Sequence, residues 1–468
     1  MAQAALALLE QALGSARVLR DAATLALYAS DETPRRVTPL AVVFPDSHEQ
    51  VVALVNIVRT HRLPLVARGA GSGNVGGALP VSGGLVVSFE CMNKVLEFAP
   101  LDRLMRVQPG VVTQDIDQLA RSEGLFYPPD PGSSPYCRIG GNLAMNAAGP
   151  RAVKYGTTRD YVLGLKAVSG DGRTLTTGCR TTKGVTGYDL TRLLVGSEGT
   201  LALITEATLK LLPAPEARQT LRAAYADNGA ATAAVLRIMQ QPVVPCALEF
   251  MDRHSLEAIR PTGAADDLPQ GTAALLMVEV DGPAADLPRQ AAAMMQALQG
   301  SGLLELRAGT DAASVLRLWA ARKSLSHAVK RIAPLKINED VVVPVSELPQ
   351  FVDFLDGLAA RYRLPIVSFG HAGNGNLHVN LMVHPDDAEE MRRAHACLEE
   401  VFGKVLELGG TLSGEHGIGT EKRAWLPREI DPPTLAMMRA IKAQFDPDFV
   451  LNPGKLFPDE TPGGALQA

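Results

Sequence analysis

The chain has 468 residues, 46% hydrophobic and 20% charged, with 45 Lys and Arg against 50 Asp and Glu, a formal net charge of −5. That composition excludes a chain disordered throughout, and at roughly 150 residues per domain it fits three domains or two large ones. The weak acidic excess argues against a nucleic-acid partner, the five cysteines (Cys91, Cys137, Cys179, Cys246, Cys397) form no CxxC pair for an iron–sulfur or zinc site, and no apolar run approaches the roughly 18 residues of a membrane span.

Residues 1–19 read as an amphipathic helix broken by Glu10 and Gln11, not as a signal peptide. Scattered cysteines fit a reducing, cytoplasmic compartment. Residues 38–44 carry a strand pattern. Ser47 and Gln50 then form a capping box for a helix bearing Val51, Val52, Leu54, Val55 and Val58. Residues 64–67 are the next strand, so a β-α-β unit runs into a glycine-rich loop. Residues 162–168 and 175–177 flank Gly170-Asp171-Gly172 and read as a hairpin. The stretch Leu211-Leu212-Pro213-Ala214-Pro215 marks a domain boundary. Beyond it, 273–280 and 335–343 are extended, and 289–298 and 315–331 are helical. The tail from Pro462 is expected to fray.

The loop is Arg68-Gly69-Ala70-Gly71-Ser72-Gly73-Asn74-Val75-Gly76-Gly77. Glycines let backbone amides approach phosphate oxygens closely. Gly71 to Gly76 matches GxGxxG, and Glu90 follows 19 residues after Gly71, which would suggest a nicotinamide dinucleotide. That fingerprint needs a helix directly after the loop. Ala78-Leu79-Pro80-Val81-Ser82-Gly83-Gly84 cannot form one, so the loop is a phosphate loop of another type or a plain glycine-rich turn. Two further segments weigh toward the first: Pro131-Gly132-Ser133 with Gly140-Gly141-Asn142-Leu143-Ala144-Met145-Asn146-Ala147-Ala148-Gly149, and Gly196-Ser197-Glu198-Gly199 through Ile204. Together, over residues 35–213, the three resemble the FAD domain of the vanillyl-alcohol oxidase and p-cresol methylhydroxylase superfamily. In that family the first segment holds the pyrophosphate and the others line the flavin. Some members attach flavin through a His where this chain has Ser72, so the resemblance implies non-covalent FAD. Tyr155, Gly156 and Asn452 join the expected cofactor contacts.

The segment Gly370-His371-Ala372-Gly373-Asn374-Gly375-Asn376-Leu377-His378-Val379-Asn380 carries the densest chemistry. A two-residue turn at Asn374-Gly375 would set His371 directly opposite His378, Cβ atoms about 5 Å apart, with Asn380 on the same face. That spacing suits two ligands of one metal ion, though two half-buried histidines on a sheet would look the same. A second cluster, Ser413-Gly414-Glu415-His416-Gly417-Ile418-Gly419, offers a carboxylate and another imidazole. Neighbours in a strand point to opposite faces, so Glu415 and His416 share a site only if Gly414 and Gly417 bend the chain. With Phe445-Asp446-Pro447 and Leu451-Asn452-Pro453-Gly454-Lys455, these motifs resemble the FAD-dependent D-2-hydroxy-acid dehydrogenases, along nearly the whole chain.

That resemblance implies His371, His378 and Glu415 as ligands of a divalent metal (Zn²⁺ or Mn²⁺), His416 as catalytic base, and Asn380 as a substrate contact. It further implies that Arg322, Ser326 and Lys336 hold substrate carboxylates; for Arg322 a solvated helix face is the competing reading. The expected fold is α+β. N-terminal helices occupy 1–34, a two-subdomain FAD domain 35–213, and an α+β cap 214–409. Residues 410–468 return to the FAD domain. Expected partners are a small 2-hydroxy acid and an acceptor: a quinone, an electron-transfer flavoprotein or an iron–sulfur subunit, with peripheral placement at a membrane through such an acceptor compatible with the cytoplasmic reading. A homodimer is compatible with this. An O₂-using oxidase, a flavin subunit of a larger glycolate oxidase complex and an NAD enzyme are the alternatives.

Overall fold

The computed structural model describes residues 2–459, without the side chains of Ser326 and His327; the tail from Pro462 lies outside them. The chain divides into two compact units. The first comprises Met1–Ala148, Thr157–Ala214 and Glu415–Ala468, the second Gly149–Gly156 and Pro215–Gly414.

In the first unit, strands Ala41–Val43 and Leu65–Arg68 both pair in parallel with Leu85–Ser88, and Val18–Leu19 closes the edge antiparallel. Parallel strands need a crossover between them. Helix His48–Thr60 supplies it. Its Val51, Leu54, Val55 and Val58 recur at three- and four-residue spacing, and all are fully buried against Ala41, Leu65, Leu85 and Val87. Each such side chain contributes about 1.5–3 kcal/mol. The Ser47 hydroxyl caps the helix, accepting from the Gln50 N–H at 3.3 Å. Gln50 reaches back to the Asp46 N–H at 2.9 Å, one residue earlier than a capping box requires. Between Arg68 and Leu85 the chain forms no helix, as Pro80 and the Gly83-Gly84 pair dictate. The second sheet of this unit is antiparallel, in the order Val95–Ala99, Leu104–Val107, Ala202–Lys210, Val162–Ser169, Thr174–Gly178.

The C-terminal segment is stitched to the first sheet. Leu65 N–H donates to Val450 and Asn452 N–H to Leu65, both at 2.8 Å. A buried ion pair secures this return: Lys442 meets Asp446, donates to the Thr200 carbonyl at 2.6 Å and to Leu451 at 2.9 Å. Asp446 also accepts the N–H groups of Val450 and Leu451 at 3.1 and 2.8 Å.

The second unit is built on a seven-stranded antiparallel sheet. Its order is Leu303–Ala308, Ala217–Tyr225, Ala274–Gly282, Ala247–Met251, Ile366–His371, Asn376–Val383, Leu335–Val342. Helix Ala312–Ala328, capped by Asp311 on the Ser314 N–H at 2.8 Å, packs Leu318, Ala321 and Leu325 against Met251, Met277, Phe369 and Met382.

Removing one partner of a buried ion pair leaves an uncompensated charge. Asp446→Ala is therefore expected to cost about 3–5 kcal/mol in urea denaturation; a loss under about 1 kcal/mol would show that the C-terminal return does not depend on this pair.

Candidate active site

A cleft opens in the first unit, lined by Arg68, Gly69, Pro109, Gly140, Gly141, Ser197, Gly199 and Ile204. Of the lining glycines Gly69, Gly140 and Gly141, the last faces open space. A Cβ on Gly73, Gly132 or Gly141 would meet nothing within 4 Å. At Gly71, with φ +73°, a Cβ would strike the Arg68 guanidinium at 2.1 Å, so only glycine lets that side chain cross the loop. Arg68 is 7% exposed, lies over the Tyr28 ring at 5.3 Å, and its Nη1 has no partner among the described residues. A buried cation with an unused donor, beside amides free of side chains, suits an anionic dinucleotide. Glu90, the acid that would complete a nicotinamide fingerprint, instead accepts the Tyr28 hydroxyl at 2.6 Å.

Several expected cofactor residues serve the walls of the cleft. Asn142 bonds Thr113 and Cys137 in the interior. Asn146, in the left-handed region at φ 51°, accepts from Thr157 and Arg159 at 3.0 and 2.9 Å. The buried Glu198 accepts the N–H groups of Ile418 and Gly419 at 2.7 and 2.8 Å. Burial pushes its carboxyl pKa up. Asn452 donates to the Glu198 carbonyl at 2.6 Å. Pro131 and Ser133 make a turn, their carbonyls accepting from Ser134 at 2.8 Å and Tyr136 at 2.9 Å. Gly149, Tyr155 and Gly156 fall in the short stretch assigned to the second unit, where the Tyr155 hydroxyl bonds the Asp281 carboxylate at 2.9 Å. Glu198 and Asn452 thus brace the segment that follows Glu415 and His416.

That segment is irregular, with Gly417 at φ +89° and Gly419 at φ +51°. The bend brings neighbouring side chains together: His416 Nε2 lies 3.9 Å from the Glu415 carboxylate. The same nitrogen is 3.5 Å from Asn74 Nδ2, so the expected base sits against the glycine loop.

In the second unit the histidine hairpin differs from expectation. The strands end at His371 and resume at Asn376, leaving four residues, Ala372 to Gly375, in the turn. His371 therefore pairs with Asn376, and His378 with Phe369. The Gly375 N–H closes the turn on the Ala372 carbonyl at 3.0 Å, with Gly375 at φ +69°. A shift of two residues preserves the face, so the imidazoles are diagonal neighbours, centroids 5.4 Å apart and rings at 83°.

The register adds residues that the motifs did not reveal. Glu249 lies opposite His371, and Asp340 opposite His378. Glu249 is fully buried and contacts His371 Nδ1 with one oxygen, while the other accepts from Arg322 Nε at 2.8 Å. Burial alone would raise its pKa; the opposing charges of His371 and Arg322 outweigh this and hold it at about 2. Arg322 is thus no solvated helix residue: its side chain is 16% exposed and stacks on Phe369 at 4.9 Å. Asp340 lies 4.0 Å from His378 Nδ1, accepts from Asn376 at 2.7 Å, and receives the Ser413 hydroxyl and Gly414 N–H at 3.0 and 2.9 Å. A Cβ at Gly414 would meet Asn376 Nδ2 at 2.6 Å, which is why glycine stands there. Asn380 donates to two carbonyls at 3.0 Å, and its fully buried Oδ1 has no partner among the described residues. Lys336 shares this face, opposite Met382; the Ser326 side chain lies outside the described residues. Two imidazoles and nearby carboxylates are a donor set that fits Zn²⁺ or Mn²⁺.

Comparison with known proteins places the chain. Residues 39–178 match the FAD binding domain family and 214–456 the C-terminal domain family of FAD linked oxidases. The glycolate oxidase subunit GlcD of Bacillus subtilis is 40% identical over 432 residues, 92% of either chain. A D-2-hydroxyglutarate dehydrogenase of Stutzerimonas stutzeri is 35% identical, covering 94% of this chain and 96% of its own. A D-lactate dehydrogenase of Anaerostipes hadrus is 35% identical over 90% of each. The crystal structure of p-cresol methylhydroxylase with substrate bound superposes at a TM-score of 0.79 with 18% identity, covering 97% of this chain and 96% of that one, a likeness of fold. The chain is an FAD-dependent oxidoreductase. It belongs to the FAD linked oxidases, with a p-cresol-methylhydroxylase-type FAD domain. No helix among the described residues is long and apolar enough to cross a membrane.

Because Gly141 faces open space, Gly141→Leu should leave the fold intact while filling the cleft. The variant is expected to purify with at least about 10-fold less FAD, read from the flavin absorbance after denaturation. Full FAD occupancy in a folded Gly141→Leu would show that the cofactor does not use this cleft.

Proposed function

We propose that the protein oxidises a D-2-hydroxy acid (D-lactate, glycolate or D-2-hydroxyglutarate class) to the 2-oxo acid, with His371, His378 and Glu415 holding a divalent cation. The single observation that carries this is the polar face of the seven-stranded sheet, where the rings of His371 and His378 lie with centroids 5.4 Å apart. Asp340 anchors Ser413 and Gly414 at its edge, so Glu415 and His416 follow by one and two peptide bonds. The names of the relatives supply the substrate class, since they act on glycolate, D-lactate and D-2-hydroxyglutarate.

Bound FAD supplies a hydride acceptor, and a bound divalent cation supplies Lewis acidity toward the 2-hydroxyl and carboxylate. The protein does the rest. His416 takes the hydroxyl proton on an imidazole nitrogen, with Asn74 and Glu415 fixing the ring. Arg322 and Lys336 meet carboxylate charge, the former through the guanidinium nitrogens that Glu249 leaves. Asn380 Oδ1 accepts from the substrate. The substrate loses one hydride from C2 and one proton from oxygen. The flavin is held without a covalent bond, since Ser72 offers no imidazole for attachment. Reoxidation requires a separate acceptor, a quinone, an electron-transfer flavoprotein or an iron–sulfur subunit, because the five cysteines provide no cluster site. The partner-subunit reading is favoured by the GlcD relatives, which are named as subunits of glycolate oxidase.

Under anaerobic conditions D-2-hydroxy acids are expected to bleach the flavin and their L-enantiomers to leave it oxidised. Equal bleaching by both would contradict a fixed arrangement of base and flavin.

Ligands and base should fail differently. His371→Ala and His378→Ala are expected to lose metal by elemental mass spectrometry and to recover partly in excess Zn²⁺ or Mn²⁺. His416→Ala should keep metal and FAD yet reduce flavin about 10²-fold or more slowly, the size of a lost general base. An undiminished rate after metal is shown to be stripped by EDTA would leave the cluster as a hydrogen-bonding site only.

A further inference from the structure

The geometry points to Glu249 as a positioning residue that fixes a metal-ligand imidazole and the substrate-binding guanidinium at once, an inference that rests on the proposed function. Glu249 is the central residue of the five-residue strand Ala247–Met251, in register with His371. Its carboxylate is wholly buried, and its two oxygens are divided between two partners. One contacts His371 Nδ1; the other accepts from Arg322 Nε at 2.8 Å. Neither partner is near it in sequence: His371 is 122 residues away and Arg322 73.

Both contacts have a directional consequence. An imidazole that donates Nδ1–H to a carboxylate carries its lone pair on Nε2, so the carboxylate decides which ring nitrogen can act as a ligand. A guanidinium held at Nε and stacked on Phe369 at 4.9 Å is restrained in its rotation about the stem. Among the described residues its terminal nitrogens bond nothing else, which is the fork a carboxylate takes in two parallel bonds. A structural ion pair needs only one cation for one carboxylate. Here a single buried anion joins the residue proposed to bind metal to the residue proposed to bind substrate, so the distance between cation and carboxylate site is set through one side chain.

The test is Glu249→Gln, which preserves shape and removes the charge. FAD content and thermal midpoint report on folding, a chelator competition followed by elemental mass spectrometry reports Zn²⁺ affinity, and anaerobic flavin reduction reports KM and kcat for the preferred acid. The expected result is folded flavoprotein with Zn²⁺ affinity lowered about 10- to 100-fold, the range for an outer-shell carboxylate. KM should rise further than kcat falls. Glu249→Gln with wild-type Zn²⁺ affinity and KM, even at lowered stability, overturns the proposal and makes the group purely structural. Wild-type protein that binds no Zn²⁺ would overturn the functional reading itself, and the inference with it. Should Glu249→Gln not accumulate as folded flavoprotein, Glu249→Asp replaces it. That side chain is one methylene too short to span both partners, and unchanged Zn²⁺ affinity and KM there also overturn the proposal.

Discussion

Side chains on an antiparallel sheet alternate between faces, so register alone decides which groups can meet. In the second unit the registers align Glu249 with His371, Phe369 with His378, and Asp340 and Asn338 with His378 and Asn380. Every polar group of the candidate site on that sheet therefore lies on one face. A slip of one residue in any of these pairings would turn one set of these side chains to the other side. The four-residue turn at Ala372 to Gly375, closed by a glycine in the left-handed region, holds that register.

The same face is shared between two chemistries. Met251, Met277, Phe369 and Met382 are covered by Leu318, Ala321 and Leu325 of helix Ala312–Ala328. This apolar packing seats the helix, and the helix then delivers Arg322 to Glu249 and Trp319 to Glu279 at 2.9 Å. Buried charges are costly unless paired. Glu249 and Asp340 meet that condition with two and four polar contacts respectively. The apolar half of the face is what makes the polar half rigid enough to serve as a site.

Much of this was legible in the sequence. The crossover helix follows from the spacing of Val51, Leu54, Val55 and Val58. The missing helix after the glycine loop follows from Pro80 and Gly83-Gly84. The shared face of His371 and His378 was readable, but their exact pairing was not, because Asn374-Gly375 signals a two-residue turn equally well. Glu249 was invisible for a different reason. It sits in an ordinary strand, and only pairing across 122 residues gives it a role. Asn142 and Glu198 lie in motifs that resemble flavin contacts, and the fold adds a second task that the motifs do not show: their side chains brace the loops that make the cleft.

The central claim is that the diagonal histidines form one metal centre. Anomalous diffraction at the zinc edge, from crystals grown with FAD and Zn²⁺, tests it most directly. The account predicts one peak about 2.0–2.1 Å from an imidazole nitrogen of both His371 and His378. A peak bound by neither histidine, or none at full FAD occupancy, would contradict it.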